Sequence, residues 1–467
     1  MRWLAGLVFL ALIAAGAAYY VAGRGAPPVI TIEQPQKVIG QTGNLAVTIG
    51  TPGGRVSSLT IALEQNGQTT TLLGLEGSTL LKAQGAAESQ GDSGAMTQTG
   101  PDTIQFTRPI GKQSLPAIQQ GTARITVSVS RPSFLDLRTL SSTASKDFEV
   151  RLVPPQLTVL STKHYVNLGG SELIVYRASP ADVVSGVRVG DIEYTGFPLG
   201  GADPALKVAF FALLPDQDLK TPITAFARDE AGNQTTASFV DDVFSKPLKR
   251  SRIPIDDAFI NKTVPDIIAH SPELKMAGPS GDLLADFLKV NGELRRMNAA
   301  TIAAFAKQTA ATKLWQAPFL QLGNSQVEAG FADHRTYVYG GKEVDQQVHL
   351  GYDLAVTAHV PVASANDGTV LNASWLGIYG NCVIIDHGLG VQSLYGHLQS
   401  FDVKVGDHVT RGQIVGRSDS TGLAGGDHVH FTMLVGGQMV NPVEWWDAHW
   451  IQDRVDRKLN EAGAAGR

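Results

Sequence analysis

Residues 348–431 carry three short motifs: His349-Leu350-Gly351-Tyr352-Asp353, Tyr395-Gly396-His397-Leu398 and Asp427-His428-Val429-His430-Phe431. Apolar residues alternate onward from the last motif, at Met433 and Val435, and this period of two predicts a β-strand. Alternate side chains of a strand emerge on the same face of its sheet. We therefore expect the imidazoles of His428 and His430 to point into one cleft.

Histidine and aspartate at these spacings are typical of a zinc site. Zinc binds neutral imidazole nitrogen and carboxylate oxygen in a tetrahedral shell, and a catalytic site leaves the fourth position for water. Three further histidines of this region, His359, His387 and His408, lie outside the motifs, and we interpret them as surface or hydrogen-bonded residues. Asp386 and Asp427 are candidates for outer carboxylates that orient an imidazole, with surface or turn roles as the alternative.

The three motifs together resemble those of the lysostaphin/LytM-type zinc endopeptidases, which cut peptide cross-links in bacterial peptidoglycan. Ser420-Thr421-Gly422, shortly before the last motif, belongs to the same pattern, and the resemblance covers roughly residues 325–447. It implies an antiparallel β domain with a groove, the duplicated hybrid motif. The zinc (Zn²⁺) ligands that it implies are His349, Asp353 and His430. It also implies that His397 and His428 flank the metal-bound water as acid/base and transition-state residues.

One position departs from the family's pattern. Members often carry a Phe-Gly-x-Arg-like turn upstream of the first motif, and the nearest match here is Phe331-Ala332-Asp333-His334-Arg335. Ala332 stands where the family has glycine, which affects the expected conformation of that turn and not the metal site.

Length and composition set the outer bounds. A chain of 467 residues is too long for one core, and about three domains are expected. The net charge of −5 gives no indication of nucleic-acid binding. Only 17% of residues are charged and 50 are glycine, which suits a β-rich, extracytoplasmic protein. Cys382 is the only cysteine, so no internal disulfide forms, and its apolar surroundings indicate packing.

The N-terminal segment is apolar. Residues 3–23 carry no charge and are flanked by Arg2 and Arg24. About 20 helical residues cross a bilayer, whereas the apolar part of a cleaved signal peptide is roughly 7–15 residues long. We therefore predict that residues 1–26 form a signal anchor, a single transmembrane helix in the inner membrane, with the bulk of the chain in the periplasm. Cleavage near Ala14–Ala18 is the alternative.

The rest of the chain is predicted to be mostly β. Alternation at residues 30–32 and 125–129 indicates a β-sandwich, and the turn at residues 229–233 resembles the end of bacterial immunoglobulin-like modules; β-barrels would give the same pattern. Residues 84–104 are polar and glycine-rich, which predicts a mobile loop. The predicted order is a β-sandwich-like domain at 28–153, a second, Ig-like β domain at 156–243, a helical segment at 255–318, the peptidase domain at 321–447 and a C-terminal tail at 448–467.

The helical segment has an apolar stripe. Ser280 is the expected N-cap of a helix of about 17 residues, and Thr301–Thr312 is expected to be helical too. The stripe predicts that the segment packs on another surface, without indicating which one. One interpretation places it beside the peptidase domain, where it would shape or cover the cleft; a spacer is the alternative. Trp445 and Trp446 are expected to cap the core, with a place in the substrate groove as the alternative.

These observations predict a zinc-dependent endopeptidase that hydrolyses peptide cross-links of peptidoglycan. The first alternative is a membrane-tethered, non-catalytic regulator that activates a cell-wall amidase, with cell-wall enzymes or division proteins as partners. Regulators of this family usually lack one or more ligands, and none is missing here. A second alternative makes the β domains an envelope scaffold or adhesion module.

Overall fold

The structure, a computed structural model, describes residues 2–51, 56–77, 94–133, 138–201 and 203–465. It is mostly β with few helices. Two compact units make up the chain: Met1–Pro155 with Arg228–Gln234, and Gln156–Ala227 with Thr235–Arg467.

The chain begins with a helix over Arg2–Ala22. Its position agrees with the predicted signal anchor, and its 21 residues are enough in number for a span. Within the described residues, however, no helix combines the length and the apolar character that a membrane crossing requires. The prediction of a transmembrane helix in residues 1–26 therefore has no support in the structure.

The first unit holds two sheets that share one apolar cluster. One sheet has the strand order Val29–Gln34, Asn44–Gly50, Thr103–Pro109, Ala95–Gly100, and the other has the order Val38–Ile39, Arg138–Val150, Gly121–Ser133, Ser58–Gln65, Gln68–Glu76. The cluster takes buried side chains from both, for example Val47 and Ile125. This is the two-sheet arrangement of a β-sandwich. The expected loop at 84–104 is wrong for the strand residues from Ala95 onward, and its part within residues 78–93 lies outside the described residues.

The second β region lies in the other unit. Its strands are Gln156–Val159, Tyr165–Asn167, Ser171–Ser179, Val184–Val189, Ile192–Thr195, Phe197–Pro198, Leu206–Ala212, Ile223–Arg228, Gln234–Ser238 and Asp242–Phe244. They form two four-stranded sheets and one pair. The immunoglobulin-like assignment of this region stays a prediction. Its apolar cluster is continuous with that of the C-terminal region, because Phe211 and Val429 belong to the same group of buried side chains.

The helical segment differs in detail from the prediction. It contains the strand Arg250–Ile255, the helix Asp257–His270, a 3₁₀ turn at Pro272–Leu274, helix at Leu283–Leu288, a π-helical turn at Lys289–Leu294, helix at Arg295–Ala304 and a 3₁₀ turn at Phe305–Gln308. The N-cap of the second helix is Asp282, whose carboxylate accepts from the N–H of Ala285, so the expected cap at Ser280 is wrong. The expected helix at Thr301–Thr312 reaches only Ala304 before the 3₁₀ turn.

The peptidase region is built on antiparallel strands. They are Gln326–Ala329, Asp333–Tyr339, Lys342–His349, Tyr352–Ala355, Pro361–Ala363, Gly368–Trp375, Asn381–Asp386, Val391–Phe401, His408–Val409, Ile414–Ser418, His428–Val435 and Gln438–Val440. The strand predicted at the third motif is present as His428–Val435, and every residue of it is buried, on both faces and not only on one. This strand pairs with Tyr352–Ala355 on one side and Val391–Phe401 on the other, which brings all three motifs together.

Short helices close the chain: Pro442–Trp446, Ala448–Trp450, a π-helical turn at Ile451–Asp456 and Arg457–Ala465. Trp445 is fully buried, and the ring of Trp446 stacks on Phe431 with centroids 5.5 Å apart. Both tryptophans therefore pack on the core, as expected.

Glu444, in the first of these helices, joins the peptidase region to the second β region. Its carboxylate accepts from the amide of Asn167 and from the N–H of Ser171, both at 2.7 Å. Burial raises the pKa of Glu444 to about 7, despite these two hydrogen bonds. The folded protein therefore holds a proton on this group up to near-neutral pH, whereas the unfolded chain releases it at an ordinary glutamate pKa.

We expect this group to make the folded protein less stable as pH rises from about 4.5 to about 7, by roughly 3 kcal/mol, and to have no further effect above that range. Glu444→Gln removes the titration while keeping the shape, and Asn167 can rotate its amide to accept from the new NH₂. The free energies of unfolding of both proteins, compared at pH 5 and pH 8, check this. Equal pH dependence in both proteins would contradict it.

Candidate metal centre

Strand register places the first and third motifs against each other. Asp353 lies directly opposite His430 in one antiparallel pair, and Gly396 of the second motif lies opposite His430 in the other. The position at the centre of the first motif, Gly351, requires glycine, because a Cβ there would lie 2.4 Å from Nε2 of His430. Only glycine leaves room for that imidazole.

His349, Asp353 and His430 meet at one point. Nε2 of His349 lies 2.9 Å from Oδ1 of Asp353 and 3.1 Å from Nδ1 of His430, and that Nδ1 lies 3.1 Å from the same Oδ1. All three side chains are buried. Within the described residues, these three side chains form a group that could hold a metal ion.

The chemistry of these atoms fits a metal ion. Nδ1 of His349 donates to the carbonyl of Gly330 at 3.0 Å, so in the neutral ring its Nε2 carries a lone pair. That lone pair faces a carboxylate oxygen and a second imidazole nitrogen at about 3 Å. Electron pairs converging at this distance repel unless a cation lies among them. His349, Asp353 and His430 would each offer one donor atom to it.

Arg335 orients the carboxylate from behind. Its Nη2 lies 2.8 Å from Oδ2 of Asp353, which leaves Oδ1 facing the two histidines. Burial alone would raise the pKa of Asp353, but the imidazoles around it, His349 first, hold that pKa well below its usual range. The carboxylate is therefore ionised, as a metal ligand must be.

The turn that carries Arg335 keeps a glycine-like conformation. Ala332 has φ +61°, in the left-handed region that favours glycine, and its N–H donates to the carbonyl of His349 at 2.7 Å. The departure from the family's pattern at this position is therefore accommodated at a cost of about 1–2 kcal/mol. The strand that follows still delivers Arg335 to the site.

His397 and His428 stand beside the three converging side chains. Their ring centroids are 4.7 Å apart, and Nε2 of His428 lies 3.5 Å from Oδ1 of Asp353. Nδ1 of His397 donates to the carbonyl of Thr421 at 2.7 Å, and Nδ1 of His428 to that of Gly426 at 2.9 Å. In each neutral ring Nε2 is therefore the basic nitrogen. The Ser-Thr-Gly motif acts here, because its Thr421 carbonyl fixes the His397 ring.

The pKa values of the two rings are shifted in opposite directions. Burial, together with the charges of His428 and His430, holds the pKa of His397 well below its usual value. Burial also opposes protonation of His428, but the hydrogen bond and charge of Asp353 outweigh it and raise the pKa of His428. A pair of imidazoles whose pKa values are pushed apart is suited to divided acid and base roles.

A cavity of about 350 Å³ opens over these five residues. Part of its wall comes from the helical segment, through Ile253, Phe259 and Arg295, and another part from Tyr379. Nζ of Lys262, in the helix Asp257–His270, donates to the carbonyl of Gly425 at 3.1 Å. The segment thus packs beside the site and lines its cleft, which agrees with the first of the two interpretations and not with a spacer.

The other histidines lie outside the site. His387 is buried and hydrogen-bonded to the carbonyl of Asp367 and to Ser393, and His408 bonds to Thr369. His359 is exposed. These positions agree with the interpretation as surface or hydrogen-bonded residues.

Neither predicted outer carboxylate reaches the site. Asp386 accepts from the N–H of Ala310, and in the described part of the chain neither Asp386 nor Asp427 bonds to a site histidine. The outer partners are backbone carbonyls and Arg335 instead. Arg335 belongs to the segment 331–335 that resembles the family's turn, so the sequence could have indicated it. Nothing in the motifs pointed to Arg295 or Tyr379.

Comparison with known proteins defines the class. Residues 347–442 match Peptidase family M23. The chain therefore carries a peptidase M23 (LytM-type) domain at its C-terminus, which confirms the resemblance found in the sequence.

Three relatives bear different names. The chain is 39% identical over 97 residues to the DD-carboxypeptidase/endopeptidase Mpg of Neisseria meningitidis serogroup B, covering 21% of this chain and 22% of the relative. It is 38% identical over 96 residues to the peptidoglycan DD-endopeptidase ShyA of Vibrio cholerae, covering 21% and 22%. It is 38% identical over 95 residues to the murein hydrolase activator EnvC of Escherichia coli, covering 20% and 23%. The chain thus spans about a fifth of the length of the curated relatives that it matches.

Proposed function

We propose that the chain is a zinc-dependent endopeptidase that hydrolyses peptide cross-links of bacterial peptidoglycan. The observation that carries this proposal is the convergence of His349, Asp353 and His430 beside two further imidazoles in one cavity. Two imidazoles and one carboxylate, with room for a fourth ligand, are the set that catalytic zinc prefers. The names of Mpg and ShyA support the choice of substrate. The proposal places the site in the compartment that contains peptidoglycan, the periplasm.

The side chains around the metal centre would have different roles in hydrolysis. Bound zinc lowers the pKa of water and polarises a carbonyl group. Asp353 offsets one positive charge, and Arg335 keeps its carboxylate aligned. Nε2 of His397 and Nε2 of His428, fixed by backbone carbonyls, can take a proton from the attacking water, return one to the leaving amine, or donate to the developing oxyanion.

Digestion of purified sacculi tests the proposal. The chain, with and without a chelator, is incubated with the sacculi, and the released fragments are identified by mass spectrometry. The expected result is loss of cross-linked dimers that the chelator prevents and that added zinc restores. Intact cross-links in the presence of bound zinc would overturn the proposal.

A regulator of a cell-wall amidase is the second candidate, supported by the similarity to EnvC. A regulator needs no metal or acid/base residues, whereas here five side chains suited to hydrolysis lie in one cavity. The two candidates differ in the sacculus experiment. A regulator would release fragments only when a purified amidase is added, and the fragments would be glycan strands freed of peptide.

His428→Ala is expected to leave metal content unchanged and to lower the turnover rate by about 10²- to 10⁴-fold, the usual contribution of one acid/base residue. The reason is that His428 stands beside the converging donors rather than among them. Metal analysis of the dialysed protein and rates of dimer cleavage check this. His449→Ala, at an exposed histidine outside the cavity, serves as the control. Loss of metal from the His428 variant would show that the assignment of ligands is wrong.

A further inference from the structure

Arg295 is a positively charged side chain held in a fixed orientation at the wall of the cavity. It follows directly on the π-helical turn Lys289–Leu294. Turns of this kind occur frequently at functional sites because the extra residue redirects side chains. Nε of Arg295 donates to the carbonyl of Asn291 at 3.1 Å, and its Nη2 donates to Oδ1 of the same residue at 2.6 Å.

Asn291 is itself fixed. It is fully buried, and its amide donates to Oδ2 of Asp345 at 2.8 Å. That oxygen also accepts from Gln347 at 3.0 Å. Asp345 and Gln347 belong to the strand that ends at His349, so the helical segment and the metal-centre strand hold Arg295 together.

Arg295 lies close to the reacting centre. It lines the same cavity as His349, His397 and His430. Tyr379 lines it too, with its ring centroid 5.3 Å from that of His430. A substrate bound in this cavity at the metal centre therefore lies in the same space as the guanidinium.

Arg295 has no carboxylate counter-ion among the residues that the structure describes, whereas the other cavity arginine, Arg335, is paired with Asp353. Glu328 also lines the cavity, without an ion pair to Arg295. The N–H groups that Asn291 does not take remain for a ligand. A guanidinium presents them in a planar fork that matches a carboxylate.

We propose that Arg295 is a specificity-determining residue that binds a free carboxylate of the peptide substrate next to the bond to be cut. The inference rests on the proposed function for the identity of the substrate as a peptidoglycan peptide. It adds that the substrate must carry an anionic group at a defined place, and that the helical segment, outside the M23 domain, supplies the residue that reads it.

The test uses one substrate in two charge states. Cross-linked peptide dimers are prepared from sacculi, and half of them are amidated with carbodiimide and ammonia, which turns carboxylates into neutral amides. Binding of both forms to the full chain is measured by calorimetry, because binding needs no turnover. The expected preference of the natural chain for the carboxylate form is about 10- to 100-fold, the range of one charge-assisted hydrogen-bonded pair.

The variants locate that preference. Arg295→Gln should bind the two forms within about twofold of each other, and its cleavage should show a raised KM with little change in kcat. Arg295→Lys should recover part of the preference, because an ammonium keeps the charge but not the fork. Arg296→Gln, at the exposed neighbouring arginine, should bind like the natural chain.

The outcomes separate the inference from the proposed function. Equal binding of both forms by the natural chain, or an unchanged preference in a folded Arg295→Gln variant, overturns the role of Arg295 even if cleavage occurs. If the preference for the carboxylate form depends on Arg295 but no cleavage occurs, the role of Arg295 is supported and the proposed hydrolysis is contradicted.

Discussion

Asp353→Ala is expected to abolish metal binding and to reduce cleavage of cross-linked dimers by about a thousandfold or more, since the metal supplies several kcal/mol of transition-state stabilisation. Asp353 is the one anionic donor among the three, and its Oδ1 lies within 3.1 Å of both His349 Nε2 and His430 Nδ1. Its removal leaves two neutral imidazoles and an Arg335 cation whose remaining ion pair is the longer one with Asp333, at 3.8 Å. That cation would repel a metal ion.

Two further variants separate loss of the metal ligand from a general loss of folding. Asp353→Asn has nearly the same shape and can still accept from Arg335, but its amide is a poor ligand, so it should fold and lack metal. Asp402→Ala, at an exposed carboxylate of the same region, should behave like the natural chain. Metal content is measured after dialysis and activity on the same samples. A folded Asp353→Asn protein with full metal content would show that the carboxylate is not a ligand.

The strand of the third motif could be predicted because a period of two is a local property of the sequence. The placement of His428 and His430 in one cavity follows from it. Burial of every residue from His428 to Val435 does not, because a period of two predicts a strand with one exposed face. Asp353 and His349 were found through their motif, and register explains why they arrive at the same place. The roles of these residues as ligands and as acid or base stay predictions.

The parts of the site that were missed depend on contacts between distant parts of the chain. Arg295 reaches the cavity only because Asn291 bonds to Asp345, in a strand far along the sequence. The helix Asp257–His270 lies within the predicted helical segment at 255–318, but its bounds were not predicted, since Pro265 interrupts the helical pattern that a sequence window shows. The sequence left Asp386 and Asp427 open as outer carboxylates or as surface or turn residues. Backbone carbonyls, which leave no trace in the sequence, hold the imidazoles of His397 and His428.

A buried ion pair attaches the C-terminal tail to the second β region, and its loss is expected to lower the stability of the protein strongly. Lys458, in the helix Arg457–Ala465, donates to Oε1 of Glu172 at 2.8 Å and to the carbonyl of Leu173 at 2.9 Å. Both charged side chains are fully buried. Burial raises the pKa of Glu172 and lowers that of Lys458, so each ion depends on the other in the core. Glu172 has a second, more distant cation in Arg454, whose Nη1 lies 3.7 Å from Oε2. The pair joins the end of the chain to the strand Ser171–Ser179 of the second β region.

Lys458→Met should therefore destabilise the protein by about 3–5 kcal/mol, because the buried carboxylate of Glu172 loses its hydrogen-bonded cation and keeps only the longer contact to Arg454. Thermal unfolding measures the loss, and limited proteolysis should show earlier cleavage within residues 451–465. The double variant Glu172→Gln with Lys458→Met removes both charges and should regain most of the stability, since the cost comes from the isolated ion and not from the missing pair. Glu461→Gln, at an exposed position of the same helix, should have almost no effect. If the double variant were as unstable as Lys458→Met alone, packing of the lysine side chain rather than its charge would fix the tail to the β region.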